Sequence, residues 1–447
     1  MGEAEALQKE LNYVLKKFPI FDGILQVVDR VGVGNLELDT FNGTFGAVYK
    51  ARNLRYEGNE NTDSAYGSRS PSPTVANAEE KRGIKRKFMD EDYFKNIEYV
   101  AIKKIVINYS IGRIAEEISI LRELRGYSNI IQLLSAHRHE DEVILITPHF
   151  EHDRFRSFYQ KMTIDDIKSY FRSLFEALRD VHSHNIVHRD VKPGNFLYNM
   201  KEKKGILVDF GLAERLGASN SYLNRIYDVP NVGAVQVINR FPSVVGQISI
   251  EPSQSNKPAV KRIRTLTASK KLTKQQMMDE LAKRGFIDMD PKGYENKPGW
   301  KANRAGTRGF RAPEVLFRVD NQTCAIDIWS AGVILITILS HHYPFFKSTD
   351  DADAFYELGI LFGKRLMHDL ATEHERYYRT DIPLIYDPGL QFDKLLHTMR
   401  RDLFPKDDEQ LLNEVYNAID LLKRCLEPYP SRRITAVEAL RHPFLLS

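Results

Sequence analysis

Apolar positions along the chain follow two periods, and the places where one gives way to the other mark out the elements. Residues 21–52 and 98–108 hold β-rich runs punctuated by glycine, which predict strands. Residues 113–126 place Ile114, Ile118, Leu121 and Leu124 at helical spacing. Two short apolar runs, Ile131–Leu134 and Val143–Ile146, read as strands. A long amphipathic helix is predicted over 163–185, with Thr163 as its cap ahead of Ile164, Asp165 and Asp166. Strand-like runs follow at 196–198 and 206–208, and beyond 310 the pattern is helical to the end. The longest apolar run, Ala331–Leu339, is too short to cross a bilayer and reads as a buried helix, so no membrane association is expected. Residues 1–20 alternate charged and apolar positions at helical spacing, without the long apolar stretch of a secretory signal.

Two stretches break this pattern. From about 54 to 97 the chain is polar and nearly free of large aliphatics, too poor in apolar surface to offset the entropy of ordering, which predicts a disordered insert. A second insert covers about 216–302; within 240–275 it holds eight Lys or Arg against one acid, Glu251. The outline is α+β: a β-rich N-terminal third and a helical remainder, each interrupted once. A chain of 447 residues, 42% apolar and 28% charged, can bury a core without staples. Its two cysteines, Cys324 and Cys425, stand alone in apolar contexts, so neither a disulfide framework nor a zinc site is expected. The net charge of +4 decides nothing by itself.

The residues that carry chemistry fit the needs of phosphoryl transfer. That reaction asks a protein for positioning and charge neutralisation: a lysine on the phosphates, carboxylates for Mg2+, and a group near the accepting hydroxyl. Val100-Ala101-Ile102-Lys103 reads as a strand whose Lys103 would contact the α- and β-phosphates, with Glu117 fourteen residues later to hold it. A surface lysine and a solvated glutamate are the alternative for this pair alone. His188-Arg189-Asp190-Val191-Lys192-Pro193-Gly194-Asn195 is far more specific than a polar turn. Asp190 would accept or orient a hydroxyl proton, Lys192 would neutralise the moving phosphate, and Asn195 would hold a metal ion. Nineteen residues after Asp190 stands Asp209-Phe210-Gly211, a carboxylate at the end of a short buried strand, suited to Mg2+. Asn42-Gly43-Thr44-Phe45-Gly46-Ala47-Val48 is a weaker signal, in which Gly43 and Gly46 would let backbone N–H groups approach phosphates beside Val48. Phe41 stands where a third glycine is expected, and Val31-Gly32-Val33-Gly34 lies about nine residues upstream. A genuinely extended loop and an inserted sequence both account for this.

With these motifs placed, the chain resembles eukaryotic protein kinases over about 21–447 apart from the inserts, which implies a bilobal fold with an N-lobe over 21–150 and a C-lobe over 151–447. More narrowly it resembles the cell-division-cycle-seven kinases. Four stretches carry this: Arg113-Ile114-Ala115-Glu116-Glu117, Val187 to Tyr198, Leu207 to Ala213 and Arg304 to Glu314. The resemblance implies a serine/threonine kinase using ATP and Mg2+, with Thr147 at the gatekeeper position and a structural ion pair between Glu314 and Arg433. It also implies a regulatory activator-of-S-phase-kinase subunit, the Mcm replicative helicase as substrate, and target sites followed by acidic or phosphorylated residues. Arg304 and Arg311 flank the segment that would meet such a residue, and guanidinium groups bind carboxylates with forked hydrogen bonds. A structural role for Arg311 is the alternative. The segment between Asp209 and Glu314 shows no obvious activating phosphosite, which predicts activation by a partner. A catalytically silent scaffold, or an acid-directed kinase of another branch, are rival readings. The basic runs Lys81 to Lys87 and Lys261 to Arg264 resemble nuclear-import signals, with no base-reading motif for nucleic acid.

Overall fold

The computed structural model describes residues 24–33, 47–56, 96–106, 111–140, 142–217, 287–288, 306–380 and 382–446. The helix expected over 1–20, most of both inserts, Gly43, Gly46 and Arg304 lie outside the described residues. Five strands form one antiparallel sheet in the order β1-β2-β3-β5-β4: β1 Leu25–Val33, β2 Ala47–Asn53, β3 Tyr99–Val106, β4 Ser135–His139 and β5 Glu142–Pro148. Helix α1, Ile111–Glu123, follows β3. The remainder is largely helical, with α2 Ile164–Ser183, α3 Ala325–Ser340, α4 Asp351–Phe362 and α5 Glu409–Cys425. Between α2 and α3 the described residues form five short strands, β6 Ile186–Val187, β7 Phe196–Asn199, β8 Lys204–Leu207, β9 Glu214–Arg215 and β10 Ile287–Asp288. The fold is thus α+β and bilobal.

The pleat of the first lobe sorts its side chains into two faces. Val100 and Ile102 on β3 point to one side with Ile144 and Ile146 of β5 and Tyr49 of β2, and these form the small lobe's own core. Lys103 points to the other side. Residues directly opposite one another across a ladder share a face. Val48 pairs with Lys103, Leu145 pairs with Lys103, and Thr147 pairs with Ala101, so all five line the same side of the sheet. The expected strand at 131–134 is absent. Gln132 explains this: its side-chain amide donates to the Tyr127 and Ile130 carbonyls and its oxygen accepts from the Gly126 N–H. The segment is pinned to the preceding turn, and the ladder begins only at Ser135.

Helix α2 begins where its cap says it should. The Thr163 hydroxyl accepts from the Asp166 N–H at 3.2 Å, and the Asp166 carboxylate accepts from the Thr163 N–H at 3.1 Å. Helix α3 is apolar nearly all round, and every residue from Ile326 to Ser340 is buried, as a helix with no polar face requires. Among the described residues no helix is long and apolar enough to cross a membrane.

Two buried charges organise this lobe. Glu314 takes a forked pair of bonds from Arg433, at 2.7 and 3.1 Å, with both side chains almost wholly excluded from water. Arg433 also donates to the Ala325, Glu427 and Pro428 carbonyls. Removing one member of such a pair leaves an uncompensated buried charge, which costs about 3–5 kcal/mol. Glu314→Ala is therefore expected to lower the denaturant midpoint of the C-lobe markedly. An unchanged midpoint would show the pair to be dispensable.

Candidate active site

Lys103 lies where the two lobes meet. Its Nζ is 2.7 Å from Glu117 Oε1 on α1 and 2.9 Å from Asp209 Oδ1 just after β8. Burial works against the lysine charge, but the carboxylates of Asp209 and Glu117 outweigh it and hold its pKa above the ordinary lysine value. Burial pulls Glu117 towards the neutral acid. A lysine held this firmly cationic keeps its partner ionised, so the pair stands as ammonium and carboxylate. The cleft face built by Val48, Ala101 and Thr147 adjoins this charge cluster.

Asp190 is the centre of a second cluster. Its Oδ1 accepts from the Thr307 N–H at 2.8 Å and from the Thr307 hydroxyl at 2.7 Å. Its Oδ2 lies 3.0 Å from Lys192 Nζ and accepts from Asn195 Nδ2 at 2.9 Å. Lys192 Nζ also donates to the Thr307 hydroxyl at 2.8 Å. Burial alone would raise the Asp190 pKa, but the Lys192 charge and the Thr307 hydrogen bond reverse the direction and hold it below the usual carboxylate value. Asp190 is ionised at neutral pH.

The loop that carries Asp190 is held from below. Asp327, in the first turn of α3, accepts from the His188 and Arg189 N–H groups at 2.8 Å each and meets His182 Nε2 at 2.9 Å. Its carboxyl pKa is depressed although burial opposes this, because His182 and His188 supply hydrogen bonds and charge. The His188 ring reaches up to the Val208 carbonyl at 3.0 Å and packs edge-on against Phe210, with centroids 4.9 Å apart. Arg189 and Asp209 both adopt left-handed backbone, with φ of 69° and 66°. Non-glycine residues accept that conformation only where their surroundings over-determine it. Here Asp327 and Lys103 do so.

A cation fits between these clusters by the chemistry of the donors. Asn195 commits its Nδ2 to the Asp190 carbonyl and carboxylate, at 2.8 and 2.9 Å, which leaves its carbonyl oxygen as the end that faces a metal. With the Asp209 carboxylate this makes a hard, oxygen-only pair suited to Mg2+, which keeps waters and takes further ligands from phosphates. Among the described residues no cluster of three or more His, Cys, Asp or Glu forms a closed metal cage.

The residues expected from motif spacing, Lys103, Glu117, Asp190, Lys192, Asn195 and Asp209, thus come together from chain positions up to 106 residues apart. Val48 and Thr147 lie on the cleft face. Arg311 donates its Nε to the Gly306 carbonyl at 3.0 Å and stands 3.8 Å from Asp351 Oδ1, so part of its guanidinium is engaged with the chain itself. Sequence reasoning missed the anchoring role of Asp327 and the ion pairs of Glu214 and Arg215, whose partners lie far away in sequence.

Two lobes enclosing a lysine–glutamate–aspartate cluster beside a loop-borne aspartate, lysine and asparagine define a protein kinase. The protein kinase domain matches residues 93–232 and 291–445. The cell cycle serine/threonine-protein kinase hsk1 of Schizosaccharomyces pombe is 33% identical over 98% of this chain and 76% of its own length. The cell cycle protein kinase spo4 of the same organism is 33% identical over 97% of this chain and 88% of its own length. The cell division cycle 7-related protein kinase of Homo sapiens is 28% identical over 78% of this chain and 84% of its own length. The chain belongs to the cell-division-cycle-seven family of serine/threonine protein kinases.

The segment after β5 carries a titratable group whose effect can be read in stability. Burial, aided by the Lys50 ammonium, lowers the His149 pKa to about 4, against the attraction of Glu151. Lys50 itself is paired to Glu151 at 2.8 Å. The unfolded chain binds the imidazole proton below roughly pH 6.5, whereas the folded chain resists it down to about pH 4. This contribution to stability is complete above the unfolded pKa and is lost as pH falls through that window. His149→Gln is expected to flatten the fall in Tm between pH 7 and 4.5. A Tm profile parallel to that of the parent protein would remove His149 as its source.

Proposed function

We propose that this serine/threonine kinase transfers the γ-phosphate of ATP, in the presence of Mg2+, with Asp190 and Lys192 as its catalytic residues. The observation that carries the assignment is the pair of clusters 2.7–3.0 Å tight around Lys103 and Asp190. Lys103, steered by Glu117, would neutralise the α- and β-phosphates, and the nucleotide base would lie against Val48, Ala101 and Thr147. Gly43 and Gly46 would cover the phosphates. A bound Mg2+, held by Asn195 and Asp209, would offset phosphate charge. Lys192 would meet the charge that develops on the transferred group. A carboxylate with a depressed pKa is a weak base at neutral pH, so Asp190 would act chiefly by orienting the incoming hydroxyl and would take its proton late. A loose transition state needs little more.

The family supports a finer reading. The relatives' names place them in the cell cycle and in cell division. On that basis the chain is proposed to act in the nucleus, with an activator-of-S-phase-kinase subunit, on the Mcm helicase. The acid preference next to the target hydroxyl would fall to Arg304 and to Arg311, the latter with one bond already committed to Gly306.

Asp190→Asn is expected to lower phosphoryl transfer to protein substrates about a hundredfold or more, with folding intact by circular dichroism. Activity within a few-fold of the parent enzyme would favour a different catalytic group. On paired peptides with Asp or Ala after the target serine, Arg311→Ala is expected to reduce the preference for Asp by about tenfold, the value of one charge-assisted contact. An unchanged ratio would assign Arg311 to holding its own loop.

A further inference from the structure

Strand β9 lies just beyond Asp209, the partner of Lys103, and pairs with β6, the strand that leads into the catalytic loop. Adjacent residues of a strand point to opposite sides. Glu214 and Arg215 carry opposite charges and use this geometry. Glu214 Oε2 turns to the catalytic loop and meets Arg189 Nη1 at 3.1 Å. Arg215 turns to α1. Its Nε is 2.9 Å from Glu116 Oε1, its Nη1 is 2.6 Å from Glu123 Oε2, and its Nη2 donates to the Ser119 hydroxyl at 3.3 Å. Residues 116, 119 and 123 fall at i, i+3 and i+7, along one face of the helix. A single guanidinium therefore staples two successive turns of α1, and the first of its partners is the immediate neighbour of Glu117.

We propose that Arg215 is a positioning residue that holds α1 in the orientation in which Glu117 meets Lys103. The staple ties the helix to the same short strand that Glu214 ties to the catalytic loop. Kinase activation segments are commonly ordered by a phosphate group that pairs with arginine. In this chain the carboxylate of Glu214 already occupies Arg189, and the connection from catalytic loop to helix runs through two adjacent side chains of permanent charge. Arg215 and its two carboxylate partners are each about one-third exposed or a little more, at 35, 40 and 36%. Pairs so exposed contribute little to global stability and are weakened by salt. The staple therefore biases the position of the helix and leaves the folding of the domain nearly untouched, and its signature is kinetic and salt-dependent.

The test uses the full chain with a general serine/threonine protein substrate, so that it does not depend on acid preference or on the identity of the natural target. Arg215→Ala is expected to lower kcat roughly three- to tenfold, the worth of a small ion-pair network, with Tm within a degree or two of the parent. Hydrogen exchange over 111–123 should accelerate, and the parent enzyme's kcat should fall towards that of the variant as ionic strength rises. Arg215→Lys should recover part of the loss, because an ammonium reaches one carboxylate at a time. Arg215→Glu should be worse than Arg215→Ala, and adding Glu116→Arg and Glu123→Arg to it should restore activity. An unchanged kcat together with unchanged exchange in α1 would overturn the proposal. So would a loss of kcat that only tracks a fall in Tm, or a charge-reversed triple variant no better than Arg215→Glu alone.

Discussion

Lys103 holds this protein's two lobes to one chemical purpose. It lies on a strand of the small lobe, its first partner Glu117 lies on a helix, and its second partner Asp209 belongs to the large lobe. An ammonium removed from water in this way would lose its proton or leave the cleft unless both carboxylates were in place. The two carboxylates in turn would repel each other without it. The three groups therefore define each other's positions, and a nucleotide's phosphates meet a charge pattern assembled before they arrive.

The catalytic loop depends on the same principle turned inward. Asp327 is fully buried and ionised, and besides meeting the His182 ring it spends its charge on accepting the backbone N–H groups of His188 and Arg189. Those bonds hold Arg189 in left-handed backbone and so aim Asp190. The buried helix α3 makes this possible by presenting an aspartate in its first turn, where the helix dipole favours a negative charge. A site that works by positioning needs rigid supports, and the largest apolar helix of the C-lobe provides one.

Much of this was legible from residue order. The strand with Lys103, the capped helix from Thr163 and the loop from His188 to Asn195 each obey short-range rules of period, cap or turn chemistry, and each forms close to where its pattern predicts. The glycine segment around Gly43 and Gly46 lies outside the described residues. The strand at 131–134 was misread because an apolar run says nothing about a glutamine in its midst, and Gln132 satisfies the neighbouring turn in place of a ladder. Arg311 illustrates the same difficulty for a charge. Its place beside the segment that would meet a substrate suggested a role in binding acidic residues, and the fold also engages its Nε with the Gly306 carbonyl five residues away.

The sequence by itself determined which chemical groups are present and in what order, because a lysine on a strand, an aspartate after a buried strand and an asparagine five residues from another aspartate are set by local geometry. Tertiary structure alone decided which groups meet. Arg215 finds Glu116 across 99 residues of chain, Lys103 finds Asp209 across 106, and Arg433 finds Glu314 across 119. The physical reason is reach. Backbone propensities and side-chain periods act over a few residues, whereas a Coulomb contact of 3 Å between distant residues exists only after the packing of two lobes has brought their chains together.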